Sequence, residues 1–587
     1  MMKKRHILMI AFMAVSFVAR SQFVIEQTDG TKFDWNYGLN VIQDKATGNF
    51  SLSRDGNYNP SLDITTIKAV SVQTMENRLS NYHAPTYVDD YRSISSWEKR
   101  SQWNLSNIHD PSVMRAEDGY YYMYCTDAGF GNPQSGHGHF HCRRSQNLVD
   151  WEYLGATMPE LPSWVKPKLN EIRKAMGLGE STADFNRCGY WAPCARKVKN
   201  GLYRMYYVIT IDGTINGTGT WGERAFIGLM ETSNPADVTS WEDKGFVITN
   251  YSDKDLNYQV GAGDYWQQCY FLWNAIDPSY IITPEGEHWL VYGSWHSGFP
   301  IIQINPETGK PLNALDNPWG SENETAYGQL ISTRKLGDRW QGSEAPEIIY
   351  RDGYYYLFMA YDALGTVYDG SGNFIAEAPY NTRVVRSESI TGPYVGIDGT
   401  NVSKFGGDAF PIVTHPYKFG NDHGWTGISH CAIFNDGDDN WFYASQARYP
   451  HDYDSWVPDA IMLGHVRSIR WTSTGWPVVM PERYGATPQA PITEEDIVGT
   501  WDHIDLGYSY GKQKESSEMV FSADHKITSG TWKGGEWSFD AKTNTLTANG
   551  VELLLQRGCD WEASPRKATI VYAGINGKKT YWGRKQF

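Results

Sequence analysis

Short apolar runs with a period of two recur along the chain, bounded by Gly, Asp and Asn turns. "FVIEQ" and "IKAVSVQ" lie near the N-terminus, "EDGYYYMYC" and "RDGYYYLFMA" in the middle, and "IVGTWDHIDL" near the end. Alternation over four to eight residues, rich in aromatic and β-branched side chains, predicts strands. The pattern predicts an all-β protein. "PKLNEIRKAMGLG" is the clearest helix candidate. Leu169, Ile172 and Met176 share one face, and Gly177 can cap its end. It lies in an apparent insertion between about 158 and 188.

A polar turn followed by an aromatic strand recurs five times. The copies are "EDGYYYMYC", "KNGLYRMYY", "PEGEHWLVYG", "RDGYYYLFMA" and "GDDNWFYAS". Aligned on Gly119, Gly201, Gly286, Gly353 and Asp439, they are 82, 85, 67 and 86 residues apart. Regular recurrence of a turn-plus-strand unit is the mark of radial β architecture. Five units predict a five-bladed β-propeller over residues 96–487. A short β extension over 22–95 precedes it, and a linker with Pro488 and Pro491 follows. A small β-rich domain over 494–587 carries Trp501, Trp532, Trp537 and Trp582 near turn glycines.

Nine residues before each aligned position stand Asp110, Ala192, Asp277, Glu344 and His430. If the units are blades, innermost strands begin around a central channel, and these five positions face one another. Three carboxylates in one such ring can hydrolyse a glycosidic bond. One, protonated, assists the leaving oxygen, and another, ionised, activates water or attacks. A third nearby raises the acid's pKa by like-charge repulsion. Taken singly, Asp110 and Asp277 also suit capping turns before a strand, and His430 suits a satisfied core histidine. Near the axis His430 can orient a carboxylate or hold a cation such as Ca²⁺ among waters.

Composition narrows the partners. The 587 residues imply more than one domain. A net charge of −15 without a basic stripe speaks against nucleic acid. The 24 Trp and 38 Tyr can stack on sugars or fill β cores. Lys3, Lys4 and Arg5, the apolar run Ile7–Val18 and Ala19-Arg20-Ser21 read as a signal peptide over 1–21. The run is too short for a stable span, and no later segment is a membrane candidate. The protein is therefore expected to be exported, to the periplasm or beyond the cell, as a monomer. Seven Cys without paired spacing exclude a zinc motif. Cys188 and Cys194 are near enough in sequence to bridge, but buried free thiols are the expectation.

"HDPSV", "NAIDPS" and "SEAPEI", in this order, resemble the catalytic motifs of glycoside hydrolase family 43. Within it the endo-α-1,5-L-arabinanases are most similar. "YWAPC", "VYGSWHSG", "VVRSESITGPYVGIDG" and "IRWTSTGWPVV" support the likeness, which spans about 100–485. The resemblance implies hydrolysis of arabinan or arabino-oligosaccharides with inversion. It implies Asp110 as general base, Glu344 as general acid and Asp277 as the residue that tunes the acid. It also implies a central Ca²⁺ associated with His430. His109, Trp191, Asn274, Trp295 and His296 sit where substrate-binding residues are expected. Residues 494–587 resemble the lipocalin-like β-barrel that follows some arabinanases. Cys194 stands where an acidic residue is expected, and "AYDALG" replaces an aromatic-rich stretch. Exo action on arabinan, a relative acting on xylan or arabinofuranosyl branches, and a non-catalytic carbohydrate-binding propeller are the alternatives. The last predicts loss of an acid or base, and the trio is complete.

Overall fold

The computed structural model describes residues 22–35, 40–53, 59–73, 75–127, 133–212, 223–251, 272–315, 318, 326–334, 342–362, 364–403, 410–451, 453 and 461–587. The predicted signal peptide lies outside them. Two compact units result. One comprises residues up to Ala84 with Thr487–Thr493, the other Pro85–Ala486 with Glu494–Phe587. In the first, Lys32–Trp35, Gln22–Gln27 and Ile67–Gln73 form a three-stranded sheet, and Asn40–Gln43 pairs with Phe50–Ser53. Ile25, Trp35, Leu52 and Leu62 make its small core.

The second unit holds five four-stranded antiparallel sheets, each an up-and-down meander or nearly so. Their first strands are Ser112–Arg115, Gly189–Lys199, Ser279–Ile282, Ser343–Arg351 and Ala432–Asn435. Each first strand lies against the next, and the fifth returns to the first, so five blades close a ring. Chain pairing seals it. The Asn107 N–H donates to the Met462 carbonyl at 2.8 Å, and the Gly464 N–H to the Leu105 carbonyl at 2.7 Å. The fold is the all-β propeller that the repeat predicts. The insertion helix forms over Val165–Ala175 and buries Val165, Leu169 and Ile172 in the core of blades one and two. Gly177, at φ 79°, ends it in the left-handed conformation that glycine adopts without strain. All six described cysteines are free and buried. Among the described residues no helix is long and apolar enough to cross a membrane.

Residues 499–585 form an eight-stranded antiparallel sheet whose edges nearly meet, with the Ile527 N–H on the Gly535 carbonyl at 2.9 Å. Period-two alternation gives this barrel two apolar faces. Trp501, Phe521, Trp537 and Tyr572 pack inside, edge-to-face or tilted, with ring centroids 5.2–6.1 Å apart. Ile504, Leu554, Val571, Ala573 and Trp582 point outward into one continuous core with blade five. At the seam the Arg584 guanidinium donates to Glu482, Asp560 and Asp422 at 3.1, 3.0 and 2.6 Å. Propeller and barrel are therefore welded by packing and by buried charge.

Candidate active site

The backbone repeats the same unusual conformation where each innermost strand begins. Asp110, Ala192, Asp277, Ala345 and His430 have φ of 45°, 39°, 53°, 54° and 52°. Non-glycine residues rarely hold such angles, and they cluster at functional sites. The fourth member is Ala345, not Glu344, which corrects the register expected from the repeat. Blades one, three and five join their first two strands by five-residue turns, blade four by the two-residue turn Asp352–Gly353. Blade two also turns in two residues, but a bulge between Lys197 and Lys199 restores the lost position. Blade four has no bulge there, so counting back from Gly353 overshoots by one. Glu344 consequently precedes the ring position, where side chains from blade three's "GSWHSG" loop meet it.

Asp110 is held from four directions. Its Oδ1 lies 2.8 Å from His430 Nδ1, and its Oδ2 lies 3.0 Å from His109 Nδ1 and 2.8 Å from Thr126 Oγ1. Its own N–H donates to Gln446 Oε1 at 2.5 Å. Burial raises its pKa, but His109 and His430 outweigh burial and hold the carboxyl well below the usual range. His430 is raised to about 10, because Asp110 and Asp277 overcome the burial that opposes its charge. Asp277 accepts the Ala345 N–H at 2.9 Å. Burial first, and then repulsion from Glu344 and Asp110, raise it to about 7 against the pull of His430.

Glu344 receives the Trp295 indole N–H at 2.7 Å and the Ser294 hydroxyl at 3.4 Å on Oε2, and the Tyr380 hydroxyl on Oε1. Close packing aims Trp295, since a Cβ on Gly342 would stand 3.2 Å from its ring, and Gly342 itself has φ 58°. Asn274 is buried and donates to the Ser294 carbonyl at 3.4 Å, so it braces the loop that holds Glu344. His296 is also buried. Trp191 is half-buried on blade two's first strand, paired with Val208. Cys194, one step below the ring, accepts the Tyr280 N–H at 3.3 Å. Asp362 of "AYDALG" pairs with Arg334 at 2.9 Å.

Beneath the ring a cavity of about 20 Å³ is lined by Pro111, Pro193, Pro278, Pro346, Glu347 and Cys431 among others. Glu347 closes the axis by accepting from Arg196 at 2.5 Å, Ser279 at 2.7 Å and the Ile433 N–H at 3.0 Å. Calcium takes six to eight oxygen ligands. Around His430 the described carboxylates are already engaged, and the described group of three mutually close ligand atoms lies elsewhere, at Glu482, Asp560 and Glu562. A cation beside His430 would rest on one imidazole nitrogen and complete its sphere with water.

Residues 106–477 match the glycosyl hydrolases family 43, and residues 481–583 match its C-terminal lipocalin-like domain. The chain belongs to this family. It is a glycoside hydrolase. An extracellular endo-α-(1→5)-L-arabinanase of Thermotoga petrophila is 25% identical over 505 residues, covering 81% of this chain and 93% of that protein. An extracellular exo-α-(1→5)-L-arabinofuranosidase of Cellvibrio japonicus is 26% identical, covering 64% and 86%. The crystal structure of the Thermotoga petrophila endo-1,5-α-L-arabinanase superposes with a TM-score of 0.60 at 21% identity, covering 82% of this chain and 99% of that one. The family's fold is thus present from blade one through the barrel.

Motif reading misses Thr126, Ser294, Tyr380, Gln446 and the Arg196–Glu347 pair. Glu347 had a signal. It occupies the third place of the repeat, beside Ser112, Cys194, Ser279 and Ala432. Tyr380 had none, because a blade-four insertion brings it to Glu344 across 36 residues.

Asp277 links the site to stability. In the fold it holds a proton up to about pH 7, whereas an unperturbed Asp loses it near 3.8. The folded state therefore binds more protons between these values, and stability falls as pH rises from about 4 to about 7. Asp277→Asn is expected to flatten that fall, read as melting temperature against pH. An unaltered slope would refute the assignment.

Proposed function

We propose that this protein hydrolyses α-1,5-L-arabinofuranosidic bonds in arabinan with inversion, with Asp110 as general base and Glu344 as general acid. The partition of charge supports the reading. Asp110 is kept ionised by two histidines and a threonine hydroxyl, as a base that draws a proton from water requires. Glu344 comes from blade four, separated from blade one by blade five, so the two carboxyls stand across the channel rather than side by side. That placement suits a water between base and sugar, the arrangement of inverting enzymes. Asp277, poised near neutrality by burial and by its neighbours, orients the acid's strand through its bond from the Ala345 N–H. A calcium ion on His430 belongs to the same proposal. Extracellular relatives of both endo and exo action support export and an arabinan substrate.

Endo action is the preferred form, since the relatives that cover 81% and 82% of this chain carry that name. The test is product analysis on linear and branched arabinan, with the anomer followed by NMR. Endo action yields a ladder of oligosaccharides, and inversion yields the β-anomer first. A single short product refutes the endo form, and initial α-anomer refutes inversion. No turnover of either polymer refutes the substrate.

A further inference from the structure

The barrel's interior is filled by aromatic rings, so its contribution to a carbohydrate enzyme has to come from outside it. The connection after strand Gly499–Asp505 reaches the face of the propeller where the site opens. It is fixed there at several points. The Ser509 N–H meets His415 Nε2 at 3.2 Å, Gln513 donates to the Tyr417 carbonyl at 3.0 Å, and Lys514–Glu515 pairs in parallel with Tyr417–Lys418. Gly511 forms a bridge with Glu377. Glu377 ends a hairpin, Thr366–Tyr368 with Phe374–Glu377, that is inserted in blade four. Arg448 and the His451 N–H hold the Glu377 carboxylate at 2.7 and 2.5 Å. Three residues further on, Tyr380 donates to Glu344. Three residues span at most about 10 Å, so the barrel's loop stands next to the acid's own support.

These two touching elements are unusually apolar at their surface. Nine large hydrophobic side chains are exposed among the described residues, and four lie here: Tyr368, Ile375, Tyr508 and Tyr510, the last 59% exposed. Residues 506–511 read "LGYSYG" and carry no charge, which suits a neutral polyhydroxyl partner better than a charged one. Tyrosine offers a flat apolar face to sugar C–H groups and a hydroxyl to their oxygens. The Arg383 guanidinium, 5.6 Å from the Tyr508 ring, and the His415 ring, 6.1 Å away edge-on, hold Tyr508 in place.

We propose that Tyr508 and Tyr510, with the blade-four hairpin, form an outer shelf that binds the polysaccharide chain where it leaves the catalytic cleft. The occupant is the uncleaved neutral polymer itself, and the inference rests on the arabinan reading above. The C-terminal domain is then part of the substrate-binding surface of the enzyme.

The test compares kcat/KM on linear arabinan with kcat/KM on arabinotriose, for the full chain and for a Tyr508→Ala, Tyr510→Ala double variant. The polymer-to-trimer ratio is expected to fall about fivefold through the polymer's KM, and Tyr510→Phe is expected to keep most of it. An unchanged ratio overturns the shelf. Equal losses on both substrates also overturn it, since they mark the loop as a brace for Tyr380 and nothing more. If the wild-type protein does not cleave arabinan, the substrate reading fails on its own. The same ratio, measured on the polymer it does cleave and on that polymer's trimer, then decides the shelf.

Discussion

Glu344→Gln is expected to lower kcat on arabinan by about 10²–10⁴-fold while leaving substrate affinity and fold in place. Gln is isosteric with Glu and keeps an oxygen for the Trp295 N–H, which now lies 2.7 Å from Oε2. The Tyr380 hydroxyl can rotate to accept from the new amide, which keeps the two side chains in place. What Gln cannot do is give a proton to the departing sugar oxygen. The defect should therefore depend on the leaving group. An aryl arabinofuranoside with a very acidic phenol departs unaided, and on it the variant should recover most of its rate. Asp110→Asn should show no such recovery, because water must be activated whatever leaves. Steady-state kinetics on both substrates, with calorimetric binding of an arabino-oligosaccharide, reads both variants. Normal polymer turnover by the Gln variant, or rescue of the Asn variant by the aryl substrate, would overturn the roles.

The same comparison shows why one part of the site was legible in the chain and another was not. Asp110, Asp277 and His430 could be found by counting, since each opens an innermost strand and backbone sterics repeat from blade to blade. A five-fold fold writes such positions into sequence as a period. Glu344 was found by the same count only through the tolerance of one residue that a two-residue turn and a missing bulge introduced. Its motif, "SEAPE", located it independently. Trp295 was placed in the pocket on resemblance, yet its bond to the Glu344 carboxylate depends on a loop with Trp295 and Ser297 both at positive φ, which composition does not encode. Tyr380 and the barrel loop that braces its hairpin reach the site through tertiary contacts between distant segments. No local pattern announces those. The eight-stranded barrel was visible as alternation, but the second apolar face that joins it to blade five looked like ordinary strand residues until Val571, Ala573 and Trp582 were seen in the propeller's core.

Removing the charge of His430 is expected to have the largest effect on stability. Its ring, with only 11% of the side chain exposed, lies among Asp110, Asp277 and Glu344, and they lift its pKa to about 10. His430→Leu fills similar space but leaves these carboxyls without their cation. Breaking one side of a buried charge pair costs about 3–5 kcal/mol, so the melting temperature should fall by many degrees at pH 7. The size of the effect changes with pH. His430 is charged in the unfolded chain only below about 6.5, so its contribution is full below that value and fades as pH rises towards 10. The gap between wild type and variant should narrow over that range. Asp110 should also lose part of what holds it ionised, and the acid limb of kcat/KM should move to higher pH. Calcium gives a second reading of the same atom. An ion on the imidazole competes with the proton there, so chelator-treated wild type should gain more thermal stability from added Ca²⁺ at pH 8 than at pH 6, and the Leu variant should gain none. A variant as stable as wild type would remove the buried cation from this account. Equal calcium responses in the two proteins would remove the ion from His430.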